Sequence, residues 1–388
     1  MRYFVLLCVL LELAGCGGSS DSPSTADPGN PTDGGSSSSW SLSLIQSLEN
    51  ITTSEEEGGA RPEILYFNDQ FPIIYRDTSV TNGSFRLKVL DSSLNSTGIE
   101  KTLVTLDDDG GVTDIRVDDD GTFVYAAYEK AFSDGRNLFL SKYDASFETL
   151  ATTLVATAGE PAKGIEALDD PEIVVVDDLI YVITKTGHEV DVPQYRAREF
   201  DLDLNATGNT FEISTGLDVG LGNVNSALFL DNLFYFVTTV HISGPPVGPA
   251  ANDDTNNDLV VLKYNADWTS TEFEKIITDD PNVEFYPTGF KYADGKFYVA
   301  YNVTNDPQIG DQSEAPQEGG GILHLKVFDS DLEELAEVEI NSGETEGKHP
   351  SLVIVGDKIY VVYGEGETDG QGATDSNLRL KVYQLSQN

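Results

Sequence analysis

Cysteine is nearly missing from this 388-residue chain: there are two, Cys8 and Cys16, and the body from Trp40 to Asn388 contains none. That body can form no disulfide, hold no cysteine zinc site and use no thiolate nucleophile, so packing alone must stabilise it. Histidine is scarce as well. His188, His241, His324 and His349 show no short ligand spacing, which argues against zinc and copper. Positive charge is in short supply, with 23 Lys and Arg against 66 Asp and Glu and a formal charge of -43. Duplex nucleic acid and anionic lipid surfaces would only add like-charge repulsion, and both are excluded as partners. No apolar run reaches the roughly 20 residues that span a bilayer. A glycine-rich phosphate loop and a nucleophile elbow are also missing; Gly319-Gly320-Gly321 stands between strand-like runs and reads as a loop.

What is present begins with an export signal: Arg2, an apolar run from Tyr3 to Leu11, then Leu13-Ala14-Gly15-Cys16. These last residues resemble the lipobox of bacterial lipoproteins, with Glu12 as the one acidic departure. The resemblance implies removal of residues 1–15 and a diacylglycerol on the Cys16 thiol, so that lipid alone attaches the protein to a membrane. Gly17, rather than Asp, after the cysteine implies the outer membrane, facing the periplasm or the cell surface. Residues 16–39 are Gly, Ser, Pro, Asp, Asn and Thr with nothing large to bury, the composition of a flexible tether. Residues 40–388 then read as one domain.

That domain repeats a single unit. Its clearest copy is His349-Pro350-Ser351, an apolar run to Val355, the turn Gly356-Asp357, the run Lys358 to Tyr363, and after a polar loop Leu378 to Tyr383. Equivalent turns are Asn68-Asp69, Asp120-Gly121, Asp177-Asp178, Asp231-Asn232 and Asp294-Gly295, each between β-branched and aromatic runs, a strong hairpin signal. A second marker pairs Asp or Asn with an apolar residue three later: Asp91 with Leu94, Asp144 with Phe147, Asp201 with Leu204, Asn265 with Trp268, Asp329 with Leu332. The apolar members recur at intervals of 53, 57, 64 and 64 residues. Six units of four short antiparallel strands predict an all-β fold, a six-bladed propeller. The sixth unit lacks its outer strand. Trp40 to Leu48, with alternating Trp40, Leu42 and Leu44, can supply it and close the ring from the N-terminal side.

Blades that read Pro, short apolar strand, Gly/Asp turn and Tyr-rich strand resemble those of six-bladed, sialidase-like propellers, over about Ala60 to Asn388. The Asp-box turn of true sialidases is absent at every blade, and no three arginines stand at matching blade positions. The resemblance therefore implies the fold and leaves the activity open.

Loops after the second strand run long in the later units (His241 to Asp258, Asn302 to Gly321, Gly364 to Asn377), which marks their face as the expected functional face. The expected starts of the innermost strands, Arg61, Asp114, Glu172, Asn225, Tyr286 and His349, ring the central channel there. A second ring comes from the ends of the second strands: Arg76, Glu129, Lys185, Asn302 and Glu365. Such a mixture of carboxylates, cations, Tyr and His suits a polar ligand such as a sugar; a hydrated channel without ligand is the plain alternative. For catalysis the candidates are Asp114 and Glu172 as paired carboxylates, near Tyr286 and His349. The acidity reads either as a solvated surface or as calcium sites, with Asn252, Asp254, Asn256 and Asp258 as alternating oxygen donors in a loop that lacks the following Gly and the terminal bidentate Glu. No other cofactor is expected. The leading expectation is a monomeric, non-catalytic lipoprotein whose propeller binds a protein or a glycan. A glycosidase-like hydrolase is the rival, and a structural spacer the third reading.

Overall fold

The structure, a computed structural model, describes residues 39–52, 58–77, 83–104, 110–132, 135–157, 171–186, 194–213, 221–241, 257–278, 283–304, 321–341, 346–366 and 377–388. Cys16, the tether, and Asn252, Asp254 and Asn256 lie outside them. The described chain contains strands and turns and no helix. Strand β1 (Trp40–Leu48) comes first. Blade 1 is β2 (Gly58–Ile64), β3 (Gln70–Asp77), β4 (Ser84–Asp91) and β5 (Ser96–Val104). Blade 2 follows with β6 (Gly110–Asp119), β7 (Val124–Phe132), β8 (Gly135–Tyr143) and β9 (Thr149–Thr157). Blade 3 is β10 (Glu172–Val176), β11 (Leu179–Thr186), β12 (Gln194–Asp201) and β13 (Ala206–Ile213); blade 4 is β14 (Leu221–Leu230), β15 (Leu233–His241), β16 (Asn257–Asn265) and β17 (Ser270–Ile276). Blade 5 is β18 (Val283–Ala293), β19 (Lys296–Thr304), β20 (Ile322–Phe328) and β21 (Glu334–Glu339). Blade 6 has β22 (Glu346–Val355), β23 (Lys358–Gly366) and β24 (Asn377–Gln387), and β1 as its fourth strand.

The ring closes as expected. β1 runs antiparallel to β24 from Trp40 opposite Gln387 to Leu48 opposite Leu380. The first strands of successive blades are neighbours all the way round, with β22 returning to β2, which makes the assembly a propeller. Its core lies in six apolar clusters, one between each pair of adjacent blades. Middle strands therefore bury both faces: Ile73 and Tyr75 of β3 pack toward blade 6, and Ile74 between them packs toward blade 2. This two-sided burial is why those strands read as unbroken apolar runs. Each fully buried side chain of this kind stabilises by about 1.5–3 kcal/mol.

Turn chemistry follows the sequence signals. Asn68-Asp69, Asp231-Asn232 and Asp294-Gly295 have positive φ at both central positions, as a two-residue type I′ hairpin requires. At the second marker the acidic side chain caps the turn: Asp91 Oδ1 accepts from the backbone N–H of Ser93 and of Asn95, both at 2.9 Å. Leu94, Phe147, Leu204, Trp268 and Leu332 adopt the left-handed conformation at φ 59–65° and are buried. Burial offsets a backbone cost of about 1–2 kcal/mol at each. Lysines then latch neighbouring blades at these turns. Lys142 Nζ donates to Leu202 O at 2.9 Å, and Lys275 Nζ to Asp331 O at 2.9 Å with Glu333 at 2.6 Å; Lys101 holds Ser146 O at 2.7 Å and also meets Glu148.

The innermost strands differ from expectation at their starts. β2, β6, β14, β18 and β22 begin three to four residues before Arg61, Asp114, Asn225, Tyr286 and His349. Pairing slips between Ala60 and Glu63, Val112 and Ile115, Leu221 and Asn225, Phe285 and Gly289, and Lys348 and Ser351. Proline supplies no N–H to the ladder, so the strand bulges at Pro62, Pro287 and Pro350 and then resumes. In blade 3, Glu172 does open its strand.

Candidate functional site

One position recurs at the channel. Glu63 stands opposite Ile74, Arg116 opposite Ala127, Glu172 opposite Ile183, Ser226 opposite Val237 and Ser351 opposite Val362. All five line a central cavity of about 330 Å³. In blade 5 the position is Gly289, opposite Ala300; a Cβ there would lie 3.1 Å from the Ala300 methyl and 3.2 Å from Leu352. A side chain there would have to push Ala300 and Leu352 aside by a few tenths of an ångström, and the adjacent Thr288 lines the cavity instead, its hydroxyl donating to Pro350 O at 2.5 Å.

Arg116 organises the charges. Its Nη1 donates to Glu63 Oε1 at 3.0 Å and lies 3.4 Å from Asp114 Oδ1, while Nε lies 3.7 Å from Glu172 Oε2. Ser351 Oγ donates to the other oxygen of Glu63 at 3.1 Å. Asp114 is wholly buried and is also paired with Arg61. Glu172 accepts from the Ile173 N–H at 3.1 Å through Oε1, whereas its buried Oε2 receives no hydrogen bond. Lys291 of β18, Asp118 of β6 and Asp177 also line the cavity, Asp118 accepting from the Val175 N–H at 2.8 Å.

Burial dominates the titration of these acids. It pushes Glu172 up to about 8 and Glu63 up to about 7, against the pull of Arg116 and Lys291 in both cases. Asp118 is raised by burial too, and Asp119 to about 6. The physical reason is desolvation, to which a neighbouring carboxyl adds in three of the four: Glu63 at Glu172, Asp114 at Glu63 and Asp118 at Asp119.

The expected pair, Asp114 and Glu172, is thus brought together on one guanidinium, with Asp114 engaged on two arginines. His349 is buried, with φ 45°, and Arg61 has φ 61°; both precede a proline, where backbone strain of about 1–3 kcal/mol is expected. Asn302 is buried and ties blade 5 to blade 6 by donating to Gly347 O at 2.8 Å. Glu129 lies 3.5 Å from Arg136, and Glu365 pairs with Arg379. Arg76 sits opposite Phe85 and Lys185 opposite Tyr195 in the sheets. Asn225 lies opposite Thr238, and Tyr286 lies within β18. Asp258 is buried in β16 opposite Val240. Among the described residues no group of three or more His, Cys, Asp and Glu is placed to hold a metal ion.

The cavity extends from Arg116 past Val175, Val176, Asp177 and Phe229, toward the tight-turn ends of the first strands. The long loops of the opposite face, at 242–256, 305–320 and 367–376, lie outside the described residues. Sequence reasoning chose Glu172 and missed Glu63, Arg116, Asp118 and Lys291. A usable signal existed: Glu63, Glu172, Ser226 and Ser351 each stand five residues before the first residue of the middle turn, at 68, 177, 231 and 356.

No protein-family model and no curated protein matches this chain in sequence. Solved structures do match it in fold. The phage phi92 endosialidase is similar with a TM-score of 0.60 at 9% identity, over 87% of this chain and 69% of that one. The GH93 alpha-L-arabinofuranosidase of Fusarium graminearum, solved with arabinobiose, gives 0.58 at 11% identity, over 87% and 98%. The Trypanosoma rangeli sialidase in complex with sialic acid gives 0.54 at 12%, over 89% and 59%. At these identities the likeness shows the six-bladed propeller fold and nothing of the chemistry.

Proposed function

We propose that this protein is a lipid-anchored, outer-membrane glycan-binding propeller, held by Cys16 and receiving a sugar in its central channel. The observation that carries this reading is the cavity of about 330 Å³ lined by buried carboxyls, an arginine, a lysine and the hydroxyls of Ser226, Thr288 and Ser351. A cavity of this size and polarity suits one or two sugar rings, whose hydroxyls both donate and accept. Named propellers of the same fold that act on or hold sugars support the choice of ligand class. Binding without turnover is favoured because Asp114 is engaged by Arg61 and Arg116, and Glu63 by Arg116 and Ser351. The test is a glycan array with the full chain carrying Cys16→Ser, followed by calorimetry on the best ligand. Saturable binding that Arg116→Gln weakens at least tenfold is expected; an array blank for every glycan refutes the reading.

One observation favours hydrolysis instead. Glu63 and Glu172 share Arg116 in one cavity and burial raises both, so each can hold and exchange a proton near neutral pH, as an acid or a base must. Release of reducing sugar from any array-positive glycan, abolished by Glu172→Gln, would establish it.

A further inference from the structure

We propose that the channel selects a cationic sugar, one bearing a free primary amine, and seats the ammonium group against Glu172. The inference rests on the glycan-binding reading and names the ligand class of the same cavity. Charge gives the direction. The groups facing Glu172 are Glu63 from β2, Asp114, Arg116 and Asp118 from β6, Asp177 from the β10 turn and Lys291 from β18, with neutral Ser226 and Ser351 from β14 and β22. Even with Arg61 counted on Asp114, these five carboxyls, Glu172 included, outnumber the three cations Arg61, Arg116 and Lys291, so the site lacks positive charge. Hydrogen bonding gives the place. Glu172 is 6% exposed, and its Oε2 meets no donor closer than the Arg116 Nε at 3.7 Å. A buried carboxylate oxygen in that state gains most from an ammonium donor, through a charge-assisted bond. The hydroxyls of Ser226, Thr288 and Ser351 around it match a polyhydroxylated ring better than the aliphatic stem of a lysine side chain.

Cation binding also has a proton signature. An ammonium ion beside Glu172 and Glu63 lowers the affinity of both carboxyls for their protons, which burial holds above the ordinary range, so binding releases protons at pH 6.5. Acetylation removes the ligand's charge and should remove that release.

The experiment is calorimetry at pH 6.5 in buffers of different ionisation heat, using the full chain with Cys16→Ser and the tetrasaccharide of glucosamine beside its N-acetylated form. The amine form should bind about ten- to a hundredfold more tightly, the range of one charged hydrogen bond, with net proton release. Glu172→Gln should erase the difference. Lys291→Gln should strengthen amine binding by removing a competing cation, an effect that disruption of the fold cannot mimic. Equal binding of the two forms overturns this proposal and leaves the glycan reading standing. If neither form nor any array glycan binds, the glycan reading itself fails. Tighter binding of a lysine-containing peptide than of the amino sugar overturns the ligand class.

Discussion

Glu172→Gln should make the protein more stable in mild alkali and leave it nearly unchanged in mild acid. In the folded chain burial raises the Glu172 carboxyl from its ordinary 4.5 to about 8. A group raised on folding contributes most below the ordinary value, and that contribution is lost as pH climbs toward the folded value. Between pH 5 and pH 8.5 the wild-type chain must therefore either keep a proton at some expense or bury a charge that Arg116 serves only at 3.7 Å. At 1.36 kcal/mol per pH unit, the whole displacement sets a ceiling of about 5 kcal/mol. Arg116, shared with Glu63 and Asp114, offsets part of this, and an effect of about 2 kcal/mol is the working expectation. For a domain of this length that corresponds to about 3 °C in Tm. The amide keeps the shape and the acceptor for the Ile173 N–H. Paired thermal melts of wild type and variant at pH 5 and pH 8.5 isolate the residue, because the self-repulsion of a chain of formal charge -43 is common to both. A variant gain that is the same at the two pH values, or larger at pH 5, refutes the reasoning.

Three further outcomes follow from the same contacts. Arg116→Gln leaves the Glu63 carboxyl with Ser351 and removes one of the two arginines on Asp114; it should cost about 3–5 kcal/mol at pH 8, but less at pH 5 where Glu63, raised by burial to about 7, is protonated; denaturant titrations at both pH values check it. At the blade 1 marker turn, where Leu94 has φ 65°, Leu94→Gly should be no more destabilising than Leu94→Ala, because glycine relieves about 1 kcal/mol of backbone strain; an alanine variant clearly more stable than the glycine one contradicts this. Deleting residues 17–48 removes β1 and exposes the β24 edge, so light scattering should report stronger concentration-dependent association than for the intact protein; equal association of the two contradicts this.

Turn residues made most of the fold legible. Asn68-Asp69, Asp231-Asn232 and Asp294-Gly295 fixed the hairpins because few residues tolerate positive φ, and the capping geometry of Asp91 reappears at Asp144, Asp201 and Asp329. Local chemistry of that kind is written in neighbouring residues. The missing sixth outer strand was likewise a matter of counting, and Trp40–Leu48 fills it.

The site was less legible. Arg116 lies in the second unit, while its partners Glu63 and Glu172 lie in the first and third, 53 and 56 residues away in sequence. Nothing local marks it as the shared cation, since a single arginine on a strand reads as a solvent-facing charge. Repeat position pointed toward the channel, yet bulges in the innermost strands shifted the count by one to three residues in every blade but the third and left Arg61 and His349 at positive-φ positions inside β2 and β22 rather than at strand starts. The sequence by itself determined the number of blades, their turns and the means of closure, because each depends on backbone preferences within a few residues. Only the tertiary structure decided which carboxyls share a guanidinium and which oxygen stays without a donor. Burial and the direction of a side chain across a blade interface set those, and both arise from the ring as a whole.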